Sequence, residues 1–181
     1  MDNPSALQIR RITSRVTVQL KSWMPGRTSS SFAAPTLPSA CRLLTLAPGE
    51  WLLISDTLAA HDLREYVRHN QSHGIAAVES SPGLSAIQVE GAAARDVLAN
   101  GCGLDLHSPS FALGACTRTR LAQLPVILDY VDVKPRFELY VGRSYLAHLR
   151  SWLDDGYPPV MKYFPAAILA PASKLVYKAR C

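Results

Sequence analysis

Cys102, His107 and Cys116 are residue types that hold zinc, and Asp105 stands two positions before His107, where a carboxylate could serve as a base. Their spacing argues against both chemistries. Structural zinc normally takes four ligands in two tight pairs, whereas this set offers three. Gly101 and Gly103 flank Cys102, which points to a turn selected for backbone geometry. The thiols then read as small buried side chains, and Asp105 and His107 as hydrogen-bonding groups of a loop. No nucleophile with a third, orienting group can be placed beside them. A dinucleotide fingerprint is not met either, because Leu106 stands where the third glycine should follow Gly101 and Gly103. The chain is therefore expected to carry no catalytic, cofactor-binding or metal residues. Arg118 and Arg120 offer a different chemistry: two positions apart in a strand pattern, they share a face. Such a pair is often merely solvated, and it is also what grips a carboxylate-rich partner surface, so these two are the candidate interface residues. Trp51, Trp152 and Tyr145 fall on inward faces of strand and helix patterns and read as core, not as a platform for a base or a pterin.

The elements that would position these residues can be read from periodicity. Val16 to Leu20 alternates as a half-buried strand, and a Ser/Pro-rich stretch from Pro25 to Pro38 follows, with room for a helix only around Ser29 to Ala34. Arg42 to Leu46 and Glu50 to Ile54 flank Ala47-Pro48-Gly49 and form a hairpin. Ser55 or Asp56 can cap a helix whose Ala59, Leu63, Tyr66, Val67 and Asn70 recur at helical spacing, and after Gly74 a strand runs from Ile75 to Val78. A second pass begins with a strand at Ser85 to Glu90 and a helix with Ala94, Val97 and Leu98 on one face. Strands at Cys116 to Leu121, Pro125 to Val131 and Arg136 to Val141 lead to a closing helix built on Tyr145, Leu149, Trp152 and Leu153. The predicted fold class is α+β, with two split-βαβ, ferredoxin-like halves sharing a core and extended arms at the N- and C-termini. The segments are residues 1–40, a basic arm with the first strand; 41–155, the α+β body; and 156–181, an arm in which Pro158, Pro159, Pro165 and Pro171 break every candidate helix.

Composition bounds the partners. At 181 residues and 48% hydrophobic content the chain can bury a sizeable core, and no apolar run is long enough to span a bilayer or to form a secretory signal, so no membrane partner is expected. The net charge of +5 resides in residues 1–49, where Arg10, Arg11, Arg15, Lys21, Arg27 and Arg42 oppose only Asp2. A basic arm of this kind suits nucleic acid, an acidic partner or a transit peptide. Because its apolar residues alternate as a strand does, a partner-facing or solvated strand is preferred over nucleic acid, whose binding would fall steeply with salt. Cys41, Cys102, Cys116 and Cys181 contain no Cys-x-x-Cys pair and fit a reducing, cytoplasmic setting, in which the Asn70-Gln71-Ser72 sequon goes unread.

Several motifs agree in order with one family. They are Leu46-Ala47-Pro48-Gly49-Glu50-Trp51-Leu52-Leu53, Ser85 to Gly91 leading into Ala94 to Leu98, and Gly101 to His107 followed by Phe111, Gly114, Cys116, Thr119 and Leu121. Phe137 to Val141, Arg143-Ser144-Tyr145 and Trp152-Leu153 complete the set. Over residues 40–155 the chain resembles the gamma-subunit family of heterotetrameric sarcosine oxidase, which is similar to part of the aminomethyltransferase-like, folate-associated fold. The resemblance implies a noncatalytic gamma-type subunit working with alpha, beta and delta partners. That complex oxidises sarcosine or a related secondary amine and passes the one-carbon unit to tetrahydrofolate or releases it as formaldehyde. FAD, FMN, NAD and tetrahydrofolate are then held by the partner subunits, and none by this chain. Ala47-Pro48-Gly49, Gly91-Ala92 and Leu149-Arg150-Ser151-Trp152 depart from the family pattern in turns and exposed positions, which bears on the subfamily more than on the fold. Two alternatives stand beside this reading: a stand-alone folate-binding or aminomethyltransferase-like protein, for which 181 residues are few, and a basic-arm nucleic-acid-binding protein.

Overall fold

The computed structural model describes residues 7–22, 41–70, 75–107, 109 and 111–155. Nine strands and three helices are found among them: β1 (Gln8–Ile12), β2 (Val16–Ser22), β3 (Cys41–Ala47), β4 (Glu50–Ser55), α1 (Ala60–Asn70), β5 (Ile75–Glu79), β6 (Leu84–Glu90), α2 (Ala94–Ala99), β7 (Cys116–Leu121), β8 (Leu124–Asp132), β9 (Arg136–Gly142) and α3 (Leu146–Asp155). They build two antiparallel sheets, ordered β3-β4-β2-β5 and β1-β6-β9-β8-β7. The first sheet is the ferredoxin-like arrangement expected from the sequence: β2 and β3 run parallel and are split by β4, which pairs with both. In the second sheet β9 likewise splits the parallel pair β6 and β8, and β8 and β9 join through a short turn as β3 and β4 do. The fold class is thus α+β with two split halves, as expected.

The sheets stack face to face with helices outside, giving four layers. Alternation along β4 shows how one strand serves two interfaces: Trp51 and Leu53 face α1 with Leu63 and Val67, while Leu52 and Ile54 face the other sheet with Ala86, Ile127 and Tyr140. Burial on both faces is why β4 reads as an unbroken apolar run. On the far side Ile87, Val89, Leu128, Phe137 and Leu139 pack against Val97 and Leu98 of α2 and Leu149 and Leu153 of α3. Arg95 of α2 lays its guanidinium 4.5 Å from the Tyr130 ring centre, over the stacked Tyr130–Phe137 pair.

Three expectations are corrected. The basic segment holds a strand that the sequence reading missed: β1, Gln-Ile-Arg-Arg-Ile, has no clean alternation and is fixed as an edge strand by its ladder with β6. Helix α1 starts at Ala60, because the Ser55 hydroxyl accepts the N–H groups of Thr57 and Leu58 and closes a turn at the end of β4 instead of capping a helix. Tyr145 is 44% exposed in a 3-10 turn before α3, and Trp152 is only half-buried, so neither joins Trp51 in the deep core. The candidate helix around Ser29 to Ala34 and the arm from residue 156 lie outside the described residues.

Candidate functional site

The sequence-selected residues do not converge. Cys102 faces the outer core, its Sγ 3.5 Å from the Thr119 hydroxyl, whereas Cys116 faces the other sheet and donates to the Thr45 carbonyl at 3.2 Å. The sheet lies between the two thiols. His107 is exposed and its backbone N–H donates to Asp105 Oδ1 at 2.9 Å, a loop hydrogen bond of the type expected. Burial pushes the Cys116 thiol pKa up, and nearby Asp129 adds to this, so the thiol is held protonated.

Packing explains the Gly-Cys-Gly turn. A Cβ on Gly101 would lie 2.4 Å from the Trp152 indole, while nothing lies within 4 Å of the corresponding position at Gly103. Gly101 also accepts the Ala122 N–H at 3.0 Å, and Cys102 bridges to Leu121, so the turn clamps the β7–β8 hairpin. Ala122 and Gln123 at the tip of that hairpin have φ of 51° and 67°, the left-handed pair of a type I′ turn built without glycine.

Arg118 and Arg120 share a face of β7, as read from spacing. Arg118 is already engaged within the chain by Glu50 of β4, which Lys21 joins at 3.0 Å, and these two bonds hold the Glu50 carboxyl below its ordinary pKa. Arg120 donates to the Gln123 carbonyl at 3.0 Å. Arg118 also borders a groove of about 420 Å³ between the sheets, lined with Gln19, Leu46, Leu52 and Glu79 among others.

The densest polar cluster among the described residues was missed by sequence reasoning. Between the sheets, Glu138 of β9 receives Arg15 and Arg42 from the opposite side and the Tyr140 hydroxyl at 2.8 Å. Arg15 forks onto Asp56 at 2.7 and 2.8 Å and donates to Tyr140 at 2.8 Å, and Arg42 lies 2.8 Å from Asp129. The available signal was an acid set within apolar runs, Leu128-Asp129-Tyr130 and Phe137-Glu138-Leu139, where a charge must be buried and paired. Burial opposes the Arg15 charge, but the bonds to Asp56 and the nearby Tyr140 and Glu138 outweigh it and raise its pKa. The Arg15 bond correspondingly lowers the Asp56 pKa. Burial dominates at Asp129 and lifts its carboxyl from 3.8 to about 6, with Glu138 adding repulsion and Arg42 only partly compensating. Asp129 Oδ2 is buried and meets Arg42 as an ion pair without a well-aligned hydrogen bond, and the cluster joins β3, β8 and β9 to the residues bordering β2 and β4 across the sheet interface.

The Asp129 shift predicts a pH dependence. Between pH 3.8 and about 6 the folded chain holds a proton that the unfolded chain has released, so this group's stabilising contribution is full below that window and is lost as pH rises through it. Asp129→Asn removes the titration. Urea unfolding from pH 4 to 7 should show wild type losing up to about 3 kcal/mol relative to the variant across that window. Parallel pH profiles would refute it.

Comparison with known proteins places this geometry. A family model described as sarcosine oxidase, gamma subunit family, matches residues 33–158. Among solved structures, a chain of the heterotetrameric sarcosine oxidase from Corynebacterium sp. U-96, in complex with pyrrole 2-carboxylate, is 26% identical. It superposes with a TM-score of 0.73, over 86% of this chain and 85% of that one. The glycine cleavage system aminomethyltransferase T from Bartonella henselae is similar at 12% identity and a TM-score of 0.61, covering 82% of this chain and 45% of that one, a likeness of fold alone. Among curated proteins none matches.

Proposed function

Because the chain belongs to the sarcosine oxidase gamma subunit family, we propose that it is the noncatalytic, gamma-type subunit of a heterotetrameric sarcosine oxidase-like flavoenzyme. The observation that carries this is the match, over most of both chains, to a chain of the Corynebacterium enzyme. Alpha, beta and delta subunits are its partners, and FAD, FMN, NAD and tetrahydrofolate reside on them, serving oxidative demethylation of sarcosine or a related secondary amine. The family match favours this reading over a stand-alone folate transferase or a nucleic-acid binder. The free thiols of Cys41, Cys102 and Cys116 support a cytoplasmic setting, and among the described residues no helix is long and apolar enough to cross a membrane. Arg120, exposed beside Arg118 on one face of β7, remains with it the proposed grip on an acidic partner surface.

The test is purification under native conditions. The chain is expected to emerge in equal amounts with three others, in a yellow complex that produces peroxide from sarcosine, while the isolated chain is colourless and inactive. A flavin bound by this chain alone, or amine oxidation by it alone, would reject the proposal.

A further inference from the structure

Where β1 leaves β6 the sheet has a notch. The ladder ends at Ile12 opposite Ala86, after which the chain crosses to β2 in the other sheet, leaving residues 84 and 85 of β6 without a strand on that side. The opening holds a cavity of about 60 Å³ whose lining includes Arg11, Arg15, Arg143, Ser81, Ser85 and Tyr140. No carboxylate residue lines it. Asp56, Glu138 and Tyr140 occupy Arg15, but among the described residues neither Arg11 nor Arg143 has an ion-pair partner. Ser85 is 7% exposed, and its Oγ is buried with no hydrogen-bond partner. An orphaned buried hydroxyl is costly to keep, and beside two unpaired guanidinium groups the ligand that would relieve it is an acceptor carrying negative charge. The volume admits one small oxyanion head.

We propose that this notch is an oxyanion site that takes a single phosphate- or carboxylate-sized group, with Ser85 as the buried donor and Arg11 and Arg143 as its cationic rim. Two sources carry that chemistry: a free anion, or a carboxylate side chain of a neighbouring subunit. Only the second source rests on the subunit reading.

The probe is inorganic phosphate, titrated into the full chain against sodium chloride at matched ionic strength, with melting temperature and calorimetric heat as readouts. Wild type should show a saturable rise in melting temperature with phosphate that chloride does not give. Ser85→Ala removes only an unpartnered hydroxyl and should fold as wild type does, yet bind phosphate about tenfold more weakly, as should Arg143→Ala. Saturable binding that leaves assembly with the partner chains intact assigns the site to a free anion. Phosphate that competes with assembly, together with loss of assembly in Arg143→Glu, assigns it to a subunit carboxylate. A phosphate response no greater than that of chloride, or one unchanged in both Ser85→Ala and Arg143→Ala, overturns the site while leaving the family assignment standing.

Discussion

Glu138→Ala is expected to destabilise the chain by about 3–5 kcal/mol, the cost of removing one partner from a buried ion network. The Glu138 side chain is 6% exposed and is shared by Arg15, Arg42 and the Tyr140 hydroxyl. Its removal leaves Arg42 leaning on Asp129 alone, and Tyr140 keeps its bond from Arg15 but loses its acceptor. Glu138→Gln retains the shape and an acceptor but not the charge, and should lose less. Urea unfolding measures both. If the alanine variant loses under about 1 kcal/mol, the network does not lock the sheets. The result matters beyond stability because an apolar set of equal volume would hold the sheets as well or better. The retained charges instead fit a role in register: Arg15 and Arg42 reach a common carboxylate only when the two sheets are aligned as found.

Trp51→Ala should also cost about 3–5 kcal/mol, since its indole is 1% exposed between β4 and α1 and its removal leaves a large cavity in that core. Trp152→Ala should cost less, because that ring is half-buried at the edge of the outer core, over Gly101. The pair offers an internal control. Gly101→Ala drives a methyl into the Trp152 ring and should cost about 1–3 kcal/mol, a penalty that largely disappears in the Trp152→Ala background. Equal losses from the two tryptophans, or an unrelieved Gly101→Ala, would show that the signature turn is held by something other than this contact.

Local pattern alone was enough for most elements. Alternation in Val16 to Leu20, the Pro48-Gly49 turn and the helical spacing of Leu63 and Val67 each describe one face of one element, and each face is buried where the pattern requires. The family motifs were legible for the same reason, since Gly101, Trp51 and Trp152 answer to local packing within this chain. What pattern could not supply was pairing across distance. β1 is a strand because β6 offers it an edge, not because Gln-Ile-Arg-Arg-Ile prefers to be one. Cys102 and Cys116, close in sequence, are parted by the thickness of a sheet, while Arg15, Arg42 and Glu138, spread over more than a hundred positions, meet at one carboxylate. Periodicity encodes which side of an element avoids water, a property of neighbouring residues. Which charge finds which across a sheet interface depends on the stacking of the sheets, and that exists only in the folded chain.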